Sequence, residues 1–80
     1  MNVTILGEEI KREEIKADMG GSYTVILLEN KTSVDTTYKV VTLWNVAKDN
    51  LLVTFDDFIQ EKTEALKRFR KEVIGCKYIA

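Results

Sequence analysis

The chain has 80 residues, with 12 basic and 13 acidic side chains, 45% hydrophobic residues, one cysteine, no histidine and no proline. That length supports one hydrophobic core, and the apolar content is too high for a disordered chain, so we expect one folded domain over residues 1–80. One cysteine without histidine excludes a zinc site within the chain and any nucleophilic triad that needs an imidazole, and therefore excludes the commonest hydrolases.

The first part of the chain predicts β-structure. Asn2 to Leu6 is rich in β-branched residues and suits a short strand that stops at Gly7. Residues 8–18 have helix-forming composition but no clear helical stripe, so a strand is favoured narrowly and a helix is the alternative. The following Met-Gly-Gly predicts a turn that needs positive φ.

The two strands in the middle of the chain are predicted most clearly. Residues 22–29 and 37–45 carry large apolar side chains at alternating positions, and a strand places such positions on opposite faces. Tyr23 lies on one face of the first strand, and Tyr38 and Trp44 share one face of the second. The polar segment between them predicts a turn. Both faces of each strand are apolar.

The C-terminal part predicts one long helix over residues 55–74. Thr54 suits its N-cap and Gly75 its C′ position, and residues 76–80 suit a short edge strand. Lys62 falls within the apolar stripe of this helix, so its amine should extend to water or to a partner. The stripe consists of Phe55, Phe58, Ala65, Leu66, Phe69 and Val73, with Ile59 at its margin.

These elements predict an α+β fold, in which a small antiparallel β-sheet of four or five strands, arranged as a meander, packs against the long C-terminal helix. One helix covers only one face of a sheet, yet the central strands are apolar on both. We therefore expect the second face to be covered by residues 8–18 if they are helical, by a second copy of the chain or by a partner protein.

Acidic pairs are the remaining candidates for catalysis. Neighbouring acids diverge on a strand and on a helix, so none of the three adjacent pairs should converge on one substrate bond. Asp56 and Asp57 suit the first turn of the predicted helix, where the helix dipole favours acids. No glycine-rich phosphate loop occurs. We expect no catalytic residue, no cofactor and no metal.

A basic cluster suggests an alternative function. Lys67, Arg68, Arg70 and Lys71 could bind nucleic-acid phosphates. However, glutamates stand among them, the last turns of a helix favour cations in any case, and the isoelectric point of about 5.4 is acidic. Solvated surface charge is therefore the favoured interpretation, and nucleic-acid binding is the second.

The residues favoured for function are those of a protein contact. Tyr23, Tyr38 and Trp44 belong to the types that are enriched in interface hot spots. Glu13 and Glu14 could approach a basic groove of a partner. We predict a cytoplasmic, non-catalytic domain that binds another protein or forms a homodimer, with no membrane span.

Small acidic domains without histidine or a cofactor motif are a common form of phage-encoded inhibitors of host defence, including anti-CRISPR proteins. The likeness is one of size and composition. It predicts a viral inhibitor that blocks a nucleic-acid channel or a docking site sterically. A homodimeric structural domain is a further alternative.

Overall fold

The computed structural model describes residues 7–18 and 20–79, and within them each strand pairs antiparallel with the next in the order β1-β2-β3-β4. This confirms the predicted α+β class and the meander. The strand predicted at Asn2 to Leu6 lies outside the described residues. The elements are β1 (Glu8–Lys16), β2 (Ser22–Lys31), β3 (Thr36–Val46), β4 (Asp49–Ile59) and α1 (Lys62–Ile79).

Strand β1 decides the ambiguous N-terminal segment in favour of a strand. Ile15 pairs with Tyr23 of β2 and is 7% exposed, because this register places it on the face that α1 covers. The turn that follows β1 requires glycine. Gly21 has φ of 76°, and a Cβ atom there would lie 2.5 Å from the carbonyl oxygen of Asn45.

The core lies between the sheet and α1. Its helical part comes from one stripe, and its sheet part comes from alternate residues of β1, β2 and β3, as period two requires. A second buried cluster on the opposite face receives no residue from α1. The first cluster contains Ile15, Val25, Leu27, Tyr38, Val40, Ala65, Phe69, Val73 and Cys76, and the second contains Ile26, Leu28, Val41 and Leu43.

The predicted helix boundaries are wrong at both ends. Residues 54–59 continue β4, because pairing with β3 stabilises the extended chain more than the helical spacing of its apolar residues stabilises a helix. The first helical hydrogen bond runs from the amide of Ala65 to the carbonyl of Glu61, so Glu61 takes the place predicted for Thr54. Lys62 is exposed at the helix start and covers no core.

The C-terminal end of the chain also differs from the prediction. Helix α1 continues through Gly75 to Ile79, so Gly75 is not a C′ residue and residues 76–79 are helical rather than an edge strand. A glycine within a helix costs about 0.5–1 kcal/mol relative to alanine. Burial of Val73 and Cys76 on either side of it offsets that cost.

Strand β4 contains two irregularities. Its register against β3 shifts between Thr42 and Leu43, where Val53 is the additional residue. A second shift lies opposite Lys39, and there Phe58 has φ of 60°. Such bulges increase the local twist and re-aim side chains.

Candidate interaction surface

Strand β4 is an edge strand that exposes large apolar side chains. Five of the ten large apolar residues that are exposed in the described part of the chain lie on it, with exposed fractions between 39% and 74%. A small domain needs its apolar groups for its own core, so this concentration on one edge makes β4 a candidate contact surface. We call Leu51, Leu52, Val53, Phe55 and Phe58 the β4 surface.

The other edge of the sheet has the opposite character. Seven of the nine residues of β1 are charged, and Ile10 is the large apolar residue that it exposes. Charged side chains on an edge strand are a common protection against unwanted strand pairing. The chain therefore protects one edge with charge and leaves the other apolar.

The β4 surface is continuous with the second buried cluster. Leu52 pairs with Leu43, and Phe55 pairs with Val41, so both extend that cluster to the edge of the sheet. Leu51 pairs with Trp44 on the other face. The uninterrupted apolar run that follows Asn50 is a partial indication of this surface in the sequence. The rest of the surface is not indicated, because helical spacing predicts residues 55–59 as the start of the long helix.

Polar contacts connect β4 to α1. The Arg68 guanidinium forms an ion pair with Asp56 and a second one, at 3.1 Å, with Glu72. Glu72 Oε2 also accepts hydrogen bonds from the hydroxyls of Thr42 and Thr54, at 3.1 and 3.0 Å. The predicted role of Asp56 in the first turn of the helix is therefore wrong, since it lies on a strand and binds the helix from the sheet.

Asp57 was likewise predicted in the first helical turn and instead lies at the second bulge of β4. Its side chain is exposed beside Phe58. Its carboxylate gives the C-terminal half of the β4 surface an acidic border, whereas the Asp56 carboxylate is paired with Arg68. A helix dipole has no part in placing either acid.

The three aromatic candidates have different positions. Tyr23 and Trp44 stack, with ring centroids 6.4 Å apart and planes 19° from parallel, and Trp44 is 38% exposed beside Leu51. Tyr38 is buried in the core. Burial raises the pKa of Tyr38, and the hydrogen bond and charge of Glu29 raise it further. Trp44 is thus the aromatic candidate that adjoins the β4 surface.

The two acidic candidates do not form one surface. Glu13 pairs with Val25 and Glu14 with Thr24, and neighbouring strand positions face opposite sides of the sheet. Glu13 lies in a groove of about 220 Å³ between β1 and α1, which we call the β1–α1 groove. The groove is lined by Lys11, Glu13, Phe69, Arg70, Val73, Ile74 and Lys77.

The four basic candidates are also separated. Arg68 is bound by Asp56 and Glu72, and the Lys67 amine lies 3.6 Å from the Glu64 carboxylate. Arg70 lines the β1–α1 groove, and Lys71 is exposed outside it. A nucleic-acid interface built on all four would need Arg68 to leave two carboxylates, so this alternative has weaker support than the β4 surface.

Side chains of the types that bind metal ions do not cluster in the part of the chain that the structure describes. No three His, Cys, Asp or Glu side chains converge in residues 7–18 and 20–79. Cys76 is buried, and this burial, with the charge of Glu72, raises the pKa of its thiol. Over the same residues, no helix is long and apolar enough to cross a membrane.

Comparison with known proteins gives no family for the chain. No protein-family model, curated protein or solved structure matches it.

Proposed function

We propose that this protein is a non-catalytic protein-interaction module that binds its partner through the β4 surface. The concentration of exposed apolar side chains on one edge strand carries this proposal. An aromatic residue has a full surface area of about 150–250 Å². With their exposed fractions, the five side chains of the β4 surface together expose on the order of 400 Å². The largest apolar patch of a typical monomer is about 300–600 Å² and is often functional, and the exposed area of the β4 surface falls in that range.

The contact is made by side chains rather than by an added strand. The bulge at Val53 and the one at Phe58 interrupt the regular spacing of backbone groups along the outer edge of β4. Bulges of this kind oppose continuous strand pairing. The exposed carboxylate of Asp57 favours a partner whose apolar site has basic residues at its rim.

Binding of this kind inhibits by occupation. A module that covers a docking site or a nucleic-acid channel of its partner blocks that site without a chemical step. This is the mode of action we infer, and a phage-type inhibitor of host defence is the biological setting suggested by its size and composition.

Two matched variants test the proposal. Phe55 on β4 and Ile10 on β1 are both 39% exposed, and each is a large apolar residue on an edge strand. The wild-type chain, Phe55→Lys and Ile10→Lys are immobilised, and proteins retained from native cells are identified by mass spectrometry. Each retained protein is then purified, and its affinity for the three chains is measured.

We expect Phe55→Lys to weaken binding at least about tenfold, which is the effect of losing one interface hot spot. Ile10→Lys should bind like the wild type. Thermal unfolding confirms that both variants are folded. An affinity of Phe55→Lys equal to that of the wild type, or an equal loss of affinity in Ile10→Lys, would contradict the proposal.

A further inference from the structure

The β1–α1 groove lies at the opposite edge of the sheet from the β4 surface, because β1 and β4 are the two outer strands. Its floor is apolar and comes from Phe69, Val73 and Ile74. Three cations and one acid line the groove, so its local charge is positive in a chain whose net charge is −1. The cations are Lys11, Arg70 and Lys77.

These cations are available to a ligand. Within residues 7–18 and 20–79, none of the three lies within ion-pair distance of a carboxylate, whereas Arg12, Lys67 and Arg68 all do. The Lys11 amine lies over the Phe69 ring, 5.3 Å from its centroid. An anionic group at the mouth of the groove would therefore gain attraction without displacing a carboxylate from any of the three cations.

The size of the groove limits what it can hold. About 220 Å³ is less than the roughly 300–1,000 Å³ that small-molecule pockets occupy. The groove fits one aromatic side chain, and the surrounding cations favour a carboxylate next to that ring. The chemistry it selects is an aromatic residue with an adjacent acid on a polypeptide.

The β4 surface presents this combination. Phe58 is 74% exposed and follows Asp56 and Asp57 directly in the chain. Its φ of 60° is unusual for a bulky residue, and backbone strain of this kind occurs preferentially at functional sites. The bulge thus displays the ring and an acid together at the edge of the sheet.

We propose that the β4 surface of one copy docks into the β1–α1 groove of a second copy, with Phe58 on the groove floor and Asp57 facing the three cations. The proposal rests on the proposed function of the β4 surface, and it names a second copy of the chain as the partner that this surface binds. Because the two surfaces lie on opposite edges of the sheet, the contact is heterologous, and successive copies add head to tail.

Sedimentation velocity measures this association directly. At low salt, the average mass of the wild-type chain should rise with concentration and pass beyond that of a dimer. Added salt should weaken the association, since charge attraction contributes to it. An Arg70→Glu/Lys77→Glu variant lacks a functional groove, and an Asp57→Asn/Phe58→Ser variant lacks a functional β4 surface, so each should remain monomeric alone.

An equimolar mixture of these two variants is the decisive sample. One supplies an intact β4 surface and the other an intact groove, so the mixture should form dimers and stop there. The matched control is Lys67→Glu/Lys71→Glu, which reverses two charges of α1 outside the groove and should associate like the wild type. Circular dichroism of every variant shows that loss of association is not loss of folding.

Three results would overturn the proposal: a wild type that is monomeric at every concentration, a groove variant that still associates, or a mixture that stays monomeric. These results are distinguishable from failure of the proposed function. Retention of a different protein by the wild type, and its loss in Phe55→Lys, is measured independently of self-association.

Discussion

Glu72 joins the helix and the sheet through polar contacts. Its carboxylate accepts hydrogen bonds from two threonine hydroxyls on neighbouring strands and forms an ion pair with Arg68. The side chain of Glu72 is only 14% exposed, and Thr42 is 1% exposed. A buried hydroxyl without an acceptor destabilises the folded state, so this carboxylate has a defined structural role.

We expect Glu72→Ala to lower the free energy of unfolding by about 1–3 kcal/mol, because Thr42 loses its acceptor in a buried position. Glu64→Ala is the matched control on the same helix. Its ion pair with Lys67 is exposed, so the change should be within about 0.5 kcal/mol. Urea denaturation measures both, and equal losses in the two variants would show that the threonine contacts contribute nothing.

Among the secondary-structure elements, the four strands differ in how well their backbones are covered. Among residues 7–18 and 20–79, strands β2 and β3 are paired on both sides, whereas β1 and β4 are each paired on one side. The central strands also carry most of the buried apolar residues. The helix packs over the middle of the sheet and connects to the edge strand β4 mainly through the Arg68 and Glu72 network.

The rates of amide hydrogen exchange should be lower in the strands that are paired on both sides than in those paired on one side. In dilute, monomeric samples, the amides of β2 and β3 should exchange most slowly, because opening them requires disruption of the core. The outward-facing amides of β1 and β4 should exchange faster by orders of magnitude. Exchange followed residue by residue with NMR tests this. If β4 were protected as strongly as β3 at high dilution, its edge would be covered within one copy of the chain.

The molecule as a whole has two buried groups whose ionisation opposes folding at alkaline pH. Burial raises the pKa of the Cys76 thiol above its ordinary value of 9.0, and the charge of Glu72 raises it further. Burial, with the hydrogen bond and charge of Glu29, raises the pKa of Tyr38 above 10.0. In both cases, the folded state retains its proton at a pH where the unfolded chain releases it.

Stability should therefore be unaffected by these groups at neutral pH and should fall as the pH rises through 9.0 and 10.0, where the unfolded state ionises first. Denaturant unfolding at a series of pH values measures the slope. In the Cys76→Ala variant, the decrease in the free energy of unfolding that begins near pH 9.0 should be smaller. In the Tyr38→Phe variant, the decrease that begins near pH 10.0 should be smaller. A wild-type stability that increases over this range would contradict the assignment.

The strand predictions from sequence were the accurate ones. The alternation over residues 22–29 correctly placed Tyr23, Val25 and Leu27 on one face, because the period of a strand is a local property of the backbone. Residues 8–18 were placed correctly as a strand for the same reason. Helix α1 contributes no residue to the second face of the central strands, as expected, but Ile26, Leu28, Val41 and Leu43 are nevertheless buried. Half of the exposed large apolar residues in the described part of the chain lie on β4 instead.

The sequence could not decide where strand ends and helix begins. Phe55 and Phe58 fit a helical stripe as well as a strand with bulges, and pairing of Phe55 with Val41 selected the strand. The partners of Glu72 are 30 and 18 residues away in the chain, and no local pattern records them. Local periodicity therefore determined the strands, whereas the position of the β4 surface was decided by long-range strand pairing, because among the described residues β4 pairs only with β3.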